Sequence, residues 1–267
     1  MDAWSHGLLI GSFLKTCNLQ KILGWIPARA NSKGVPGKNK RVLGNQPLIL
    51  HAILTAHLAA CLDRIVVSTD DREIARLALG ARAEVPWMRP AELATDQSPV
   101  IDSAVYDLDR LRVEQNYCPD AVLLLQPTSP FRTPQTIRAA VEMFAQSGGE
   151  SVVSVSSGRE HPHWSKRIAE DGSLEAFLPD VLIPARRQEL TPVYCLNGVL
   201  FLASVETILS KRSFYSPRTR ALVISSEKEA LDIDTPFDWL VAEALWAFSR
   251  AGESAGENAG ESSGKSA

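Results

Sequence analysis

Short apolar runs alternate with helical patterns along most of this 267-residue chain, and that alternation constrains the fold more than any other feature. Parallel strands need a long crossover between them, so repeated strand–helix units predict a mostly parallel sheet. The first strands are predicted at Ile22–Ile26, Arg64–Ser68 and Ala121–Leu125. The third is apolar throughout, which is typical of a strand buried on both faces. We therefore predict an α/β fold with a mostly parallel sheet flanked by helices.

The remaining predicted elements continue the alternation. Thr133-Pro134 marks one helix start, because a hydroxyl caps the helix and proline suits its first position. Further strands are predicted at Ser151–Val155, Gly198–Leu202 and Ala221–Ile224, and further helices at Pro47–Leu62, Asp71–Leu79 and Pro236–Phe248.

Three segments do not fit the strand–helix pattern of the main domain, residues 21–250. Residues 1–20 contain an apolar run too short to span a bilayer, and we expect an extension outside the core. Residues 158–192 are interrupted by prolines and by the turn dipeptide Asp171-Gly172, which predicts an insert. Residues 251–267 form a quasi-repeat of small and polar residues that buries little apolar surface, so we predict a disordered tail.

The net charge of −3 gives no general reason to expect nucleic acid or an anionic membrane as a partner. The four cysteines are scattered, and no Cys-x-x-Cys spacing occurs among them. Such a pattern is typical of free thiols in a reducing compartment rather than of a zinc site or a disulfide framework. We predict a cytoplasmic protein.

The first predicted strand runs directly into a basic, glycine-containing loop, IPARANSKGVPGKN, at residues 26–39. Arg29, Lys33 and Lys38 can neutralise phosphate charge, while Gly34 and Gly37 allow backbone N–H groups to turn toward a ligand. The loop follows the carboxyl end of a strand, where open α/β sheets bind ligands. This position favours a polyphosphate site over a solvated basic loop.

A pair of aspartates lies in the segment ALDIDTPFDW, residues 230–239. In a strand, Asp232 and Asp234 would project to one face and Ile233 to the other. Two adjacent carboxylates repel each other unless solvent or a divalent cation lies between them, so the pair predicts a metal site or a polar strand end. Thr235-Pro236 begins the next helix, and Asp238 is predicted to cap it.

A polar cluster, LLLQPTSPFR at residues 123–132, follows the buried strand. Gln126 can donate and accept hydrogen bonds, which suits sugar hydroxyls. Turn chemistry explains the cluster equally well, and both interpretations stay open.

These three motifs, together with VPWMRPAELATDQSP and PVYCLNG, resemble the acylneuraminate cytidylyltransferases in kind and order. That family includes the CMP-sialic, CMP-legionaminic and CMP-pseudaminic acid synthetases, and the similarity covers about Ile22 to Trp246. It implies a Rossmann-like nucleotide-diphospho-sugar transferase fold with a small dimerisation insert that reaches toward the neighbouring subunit's site. A homodimer is therefore expected.

The resemblance also implies residue roles. Nucleotide binding is expected of Ala28, Arg29, Ser32, Lys33, Lys38, Asn39, Arg89 and Ser98. Sugar binding is expected of Gln126, Lys166, Arg187 and Asn197. Asp232 and Asp234 would hold Mg²⁺ or another divalent cation such as Mn²⁺, and these two would be catalytic together with Arg29 and Lys38.

The implied reaction is attack by the anomeric hydroxyl of an acidic nine-carbon sugar on the α-phosphorus of CTP, with pyrophosphate leaving. Whether an aspartate deprotonates that hydroxyl stays open. Some family members carry an arginine immediately before a Pro-Asn-Gly segment, where this chain reads Cys195-Leu196-Asn197-Gly198, so the particular nonulosonic acid also stays open. Two alternatives are a cytidylyltransferase for the eight-carbon acid Kdo and a catalytically inactive nucleotide-binding relative.

Overall fold

A computed structural model describes residues 21–178, 186 and 190–261, with residues 250–261 as backbone alone. Its main feature is a six-stranded sheet in the order β10-β6-β9-β5-β1-β4. The strands of this sheet are β1 (Ile22–Pro27), β4 (Arg64–Ser68), β5 (Ala121–Leu124), β6 (Ser151–Ser157), β9 (Tyr194–Ser204) and β10 (Arg220–Val223). Two small hairpins pair β2 (Val42–Leu43) with β3 (Gln46–Pro47) and β7 (Lys166–Ile168) with β8 (Leu174–Ala176).

The sheet is mostly parallel, as predicted. Strand β1 pairs in parallel with β4 and β5, and β10 pairs in parallel with β6. The long strand β9 runs antiparallel between β5 and β6. The carboxyl ends of β5, β1 and β4 therefore share one edge of the sheet with the amino end of β9.

Helices accompany the strands as expected for an α/β fold. They are α1 (Leu48–Ala59), α2 (Arg72–Gly80), α3 (Val100–Gln115), α4 (Pro134–Gln146), α5 (Val205–Lys211) and α6 (Pro236–Glu261). The hydroxyl of Thr133 accepts a hydrogen bond from the Thr136 N–H, which confirms the predicted cap of α4. In the described residues, no helix combines the length and apolar character needed to cross a bilayer.

Both faces of the sheet are buried. Neighbouring residues of a strand point to opposite faces, and Trp25 and Ile26 of β1 accordingly belong to separate core clusters. Leu123 and Leu124 of β5 divide in the same way. A third, smaller cluster contains Ile233 and lies beneath the segment that carries the two aspartates.

Two helices, α3 and α5, were not predicted. Helix α3 buries Ala104, Leu108 and Leu111, which have the three- and four-residue spacing of an amphipathic helix. Its cap, Pro99, makes no side-chain hydrogen bond, so the usual start signal is missing.

The last helix continues beyond its predicted end at Phe248 as far as Glu261. The described backbone of residues 251–261 is thus helical where the sequence predicts disorder. This stretch contains as many glycines as alanines or glutamates, so its intrinsic propensity does not favour a helix, but extending an existing helix costs far less than nucleating one. Residues 262–267 and 1–20 lie outside the described residues.

The insert contains a short 3₁₀ helix, Pro162–Trp164, followed by the β7–β8 hairpin. The predicted turn joins the two strands: Gly172 has a φ of 83°, and the Asp171 carboxylate accepts from the Ser173 N–H at 2.9 Å. Residues 179–185 and 187–189 of the insert lie outside the described residues.

Candidate active site

A cleft of about 460 Å³ opens at the edge of the sheet where β1 and β5 end. Residues from all three predicted motifs line it, together with residues of the VPWMRPAELATDQSP segment. The structure thus brings together nine of the predicted site residues, namely Arg29, Ser32, Lys33, Lys38, Asn39, Arg89, Ser98, Gln126 and Asp234.

Two cations of the basic loop share one carboxylate. Arg29 Nη1 lies 2.9 Å from Asp96 Oδ1, and Lys33 Nζ lies 3.0 Å from Asp96 Oδ2. Arg29 also donates to the Thr95 carbonyl at 3.0 Å. Asp96 was not predicted as a site residue, although it belongs to a motif that carries the family resemblance.

The third cation joins the first motif to the last. Lys38 is buried, and its ammonium group donates to the Ile233 carbonyl and to Asp234 Oδ1, the latter at 3.2 Å. The two segments also touch at Gly34, where an added Cβ would lie 1.8 Å from the Asp234 carbonyl oxygen. Only glycine fits there, so close packing explains this position of the loop better than backbone freedom does.

The aspartate pair does not lie on a strand, which corrects the prediction. The Ile233 N–H donates to the Thr128 carbonyl at 2.8 Å, and the Ile233 carbonyl accepts from Lys38. A loop and a side chain thus satisfy the backbone groups that a neighbouring strand would otherwise pair. Ile233 is buried as predicted, whereas the Asp234 side chain is 70% exposed.

Asp232 is mostly buried, and burial raises the pKa of its carboxyl, with the Asp234 charge raising it further. Its Oδ1 atom is buried without a hydrogen-bond partner in the described residues. An unpaired carboxylate oxygen beside a second carboxylate fits a divalent cation. No group of three or more His, Cys, Asp or Glu suited to a metal occurs within the described ranges. A site of two carboxylates is compatible with an ion such as Mg²⁺, which commonly takes one or two carboxylates plus phosphate and water.

Arg89 enters the cleft from the loop that follows the Val85–Trp87 segment. It is only 8% exposed, and its guanidinium donates to the Ser68 hydroxyl at 3.1 Å and to the Ser68 carbonyl at 2.6 Å. Burial lowers the pKa of Arg89, and the carboxylates of Asp107 and Asp70 oppose that shift. Because its charge is held in a fixed direction, Arg89 is suited to recognise a polar edge of a bound molecule.

Three other predicted nucleotide contacts have defined positions. The Asn39 side-chain amide donates to the Arg29 carbonyl at 3.0 Å. The Ser98 hydroxyl donates to the Glu92 carbonyl at 2.6 Å. Ala28 is buried, bonds through its N–H to the Ser68 carbonyl, and does not line the cleft. Ala28 thus supports the loop rather than facing its ligand.

Gly198 brings the predicted sugar and metal residues close together. Its φ is 74°, and an added Cβ would lie 3.0 Å from Asp232 Oδ2 and 3.6 Å from Gln126 Oε1. The preceding residue, Asn197, is buried, with Nδ2 unpaired in the described part of the chain. Gln126 and Asp232 therefore lie close together at Gly198, and Asn197 precedes that glycine on β9.

Arg132 is a buried residue of this region that the sequence did not single out. It donates to the Gln126 carbonyl at 2.8 Å and to the Val199 carbonyl, so it ties the loop after β5 to strand β9. Burial lowers its pKa to about 9. It ends the LLLQPTSPFR motif, but a pattern does not reveal which carbonyls an arginine binds.

Among the described residues, two predicted sugar contacts, Asn197 and Lys166, do not line the cleft. Lys166 is exposed at the start of β7 and does not line it. Arg187 lies outside the described residues.

The comparison with known families decides the assignment. A family model described as cytidylyltransferase matches residues 23–253. This chain belongs to the cytidylyltransferase family. The resemblance found in the sequence motifs is thereby confirmed, and the protein is a nucleotidyltransferase.

Individual relatives indicate which cytidylyltransferases this chain is similar to. The cytidylyltransferase is 44% identical over 227 residues to the CMP-N,N'-diacetyllegionaminic acid synthase of Legionella pneumophila, covering 84% of this chain and 96% of that protein. It is 34% identical over 218 residues to an N-acylneuraminate cytidylyltransferase of Streptococcus agalactiae. That match covers 80% of this chain but 51% of the streptococcal protein, so the chain spans about half the length of that relative.

Solved structures agree on the fold. CMP:2-keto-3-deoxy-manno-octonic acid synthetase, solved with CTP, superposes with a TM-score of 0.63 at 16% identity, covering 86% of this chain and all of the other. The 4-diphosphocytidyl-2C-methyl-D-erythritol synthase of Anaerococcus prevotii superposes with a TM-score of 0.59 at 13% identity, covering 86% and 98%. The predicted Rossmann-like transferase fold is confirmed.

Proposed function

We propose that this cytidylyltransferase transfers CMP from CTP to the anomeric hydroxyl of a nonulosonic acid and releases pyrophosphate. The observation that carries the proposal is the convergence, at one cleft, of the basic loop, Arg89, Gln126 and Asp234, with Asp232 and Gln126 both close to Gly198. The Legionella relative favours a sugar of the legionaminic type, and an acylneuraminate is the second candidate.

In the proposed mechanism, the chain aligns two anions that repel each other. Arg29, Lys33 and Lys38 bind the triphosphate and offset its charge, while Arg89 orients the cytosine. Gln126 and Asn197 orient the sugar so that its hydroxyl faces the α-phosphorus. The attacking oxygen gives up its proton to an aspartate or to water and forms a bond to that phosphorus as the bond to the pyrophosphate oxygen breaks. Asp232 and Asp234 would hold Mg²⁺, which supplies further neutralisation of phosphate charge.

The proposal predicts strict use of CTP and a preference for nine-carbon acids. We expect pyrophosphate release with CTP and N,N'-diacetyllegionaminic acid, and far slower release when UTP or ATP replaces CTP. N-acetylneuraminic acid and Kdo serve as competing acceptors in the same assay. Equal rates with UTP would contradict the assignment of the base, and a preference for Kdo would favour the eight-carbon alternative. No release with any acceptor would favour the inactive relative.

We also propose that the protein is a homodimer held partly by the β7–β8 hairpin. Large apolar side chains of this hairpin are unusually exposed: Ile168 is 75%, Leu174 71% and Phe177 63% exposed. Exposed apolar clusters of this kind mark interaction surfaces. In such a dimer, Lys166 would lie at the partner's cleft, as the family resemblance implies.

The dimer is tested by one substitution on the hairpin. We expect analytical ultracentrifugation of the wild-type protein to give a mass twice that of one chain. The Ile168→Asp variant should give a mass closer to that of the monomer. Val113→Asp is the control, because Val113 is also an exposed β-branched residue, 67% exposed, but lies on α3. An unchanged mass for Ile168→Asp would exclude the hairpin from the interface.

A cytoplasmic location belongs to the same proposal. Cys61, Cys118 and Cys195 are free thiols, which is typical of proteins in a reducing compartment.

A further inference from the structure

A carboxylate is buried beneath the cleft on helix α3, away from the residues already given a role. Asp107 is 1% exposed. Its Oδ2 accepts from the Trp25 indole at 2.8 Å, and its Oδ1 accepts from the Trp87 indole at 2.6 Å. A buried charge is costly unless it is hydrogen-bonded or paired, and each oxygen here has its own donor. The two indoles come from different parts of the chain, so Asp107 links them.

One of these indoles belongs to the segment that leads to Arg89. Trp87 is held on a second side by Arg110, whose guanidinium lies 4.3 Å from the centre of the indole ring. Two residues later, the Arg89 N–H donates to the Thr69 carbonyl at 2.7 Å. The segment that delivers Arg89 to the cleft is therefore fixed at its start by Asp107 and at its end by the loop after β4.

Asp107 also acts on Arg89 through its charge. The Arg89 guanidinium donates both of its described hydrogen bonds to Ser68, which is neutral. The favourable charges that act on this buried cation are those of Asp107 and Asp70. Asp70 has another contact, because its carboxylate accepts from the Ala30 N–H of the basic loop at 2.8 Å. Asp107 is thus both the anchor of the segment and a counter-charge of its arginine.

We propose that Asp107 is a positioning residue for nucleobase recognition, which holds the Trp87–Arg89 segment in place and so keeps the Arg89 guanidinium oriented toward the cleft. The inference rests on the proposed function, in which Arg89 faces the cytosine. Asp107 also bonds Trp25 on β1, which leads into the basic loop, but β1 is held on both sides by its strand partners β4 and β5. Asp107 should therefore influence binding of the base more than binding of the phosphates.

The test compares two ligands that share phosphates but not a base. Dissociation constants for CTP and for inorganic tripolyphosphate are measured by calorimetry at one Mg²⁺ concentration. Asp107→Asn keeps the size of the side chain, but it removes the charge and turns an amide N–H toward an indole N–H. We expect CTP affinity to fall about tenfold or more, since charge-assisted hydrogen bonds are among the stronger ones, and tripolyphosphate affinity to change less than about twofold.

The matched control is Asp109→Asn. Asp109 lies on the same helix but is exposed and pairs with Arg112 at the surface, so we expect both affinities to match wild type. Selectivity for CTP over UTP should fall in Asp107→Asn and hold in Asp109→Asn. Equal loss of CTP and tripolyphosphate affinity in Asp107→Asn would mean general damage and would overturn the inference.

A second variant decides the matter if Asp107→Asn fails to fold. Trp87→Phe keeps an aromatic ring for Arg110 and leaves Asp107 charged, but it removes the indole donor. We expect a selective loss of CTP affinity in this variant as well, and wild-type affinity for both ligands would overturn the inference. A wild-type protein that binds UTP as tightly as CTP would overturn the proposed function together with the inference. A CTP-selective wild type with unaffected variants would overturn the inference alone.

Discussion

Asp232→Asn is expected to lower metal-dependent turnover by about a hundredfold or more while the protein stays folded. The substitution keeps the size of the side chain but removes a charge from the proposed Mg²⁺ site, and a metal's neutralisation of phosphate charge is worth several kcal/mol. The measurement is activity as a function of Mg²⁺ concentration. Full activity with an unchanged Mg²⁺ requirement would place the metal elsewhere.

The same Asp232→Asn substitution should make the metal-free protein more stable. The folded-state pKa of Asp232 is raised, mainly by burial, so the folded protein holds this proton more tightly than the unfolded chain does. Its ionisation therefore costs stability as the pH rises above the ordinary aspartate pKa. Removing the charge should raise the metal-free melting temperature at neutral pH and leave it nearly unchanged in acid.

The control for this experiment is Asp238→Asn in the same segment. Asp238 accepts from the N–H groups of Asp234 and Thr235 at 3.1 and 2.7 Å, as expected for the predicted cap of α6. Asparagine keeps an acceptor oxygen there, so we expect a loss of stability of about 1 kcal/mol or less and near-normal Mg²⁺ dependence. A collapse of activity in both variants would indicate damage to the segment rather than loss of a metal ligand.

Arg29→Ala is expected to lower kcat/KM for CTP by about ten- to hundredfold. The guanidinium is partly exposed in the cleft, where it can form charge-assisted hydrogen bonds to a phosphate, each worth about 1.5–3 kcal/mol. Steady-state kinetics of the folded variant measure the effect. Arg112→Ala is the control, because Arg112 also pairs with an aspartate but lies outside this cleft. Wild-type kinetics in Arg29→Ala would exclude this residue from the site.

Most of the cleft residues could be predicted from the positions of the strands' carboxyl ends in the sequence. Arg29 and Gln126 could be placed from the sequence because each follows a buried parallel strand, and such strands end at one edge of a sheet. Strands β1, β4 and β5 could be predicted because each is a short, largely apolar run. The local sequence pattern is sufficient to place a residue at the cleft when that residue directly follows a buried strand.

Contacts between distant segments could not be predicted in this way. Asp232 and Asp234 fit the alternation of a strand, but the backbone between them pairs with Thr128 and Lys38, which no local pattern reveals. The hydrogen bond of Arg132 to the Val199 carbonyl and the ion pairs of Asp96 likewise join separate segments of the chain. In each case the partner is chosen by tertiary packing, so the residue type alone left several roles open.

The ion pairs of Asp96 change what CTP binding means for this loop. Asp96 pairs with both Arg29 and Lys33 and offsets one of their two positive charges before any phosphate arrives. The free energy gained from these two cations is the difference between their attraction to the phosphate and their attraction to Asp96. It is smaller than the attraction of a phosphate to unpaired cations. Added salt weakens the old and the new pairs together, so the affinity for CTP should fall less steeply with ionic strength than the number of cations suggests. Nucleotide binding at this loop is an exchange of one anion for another.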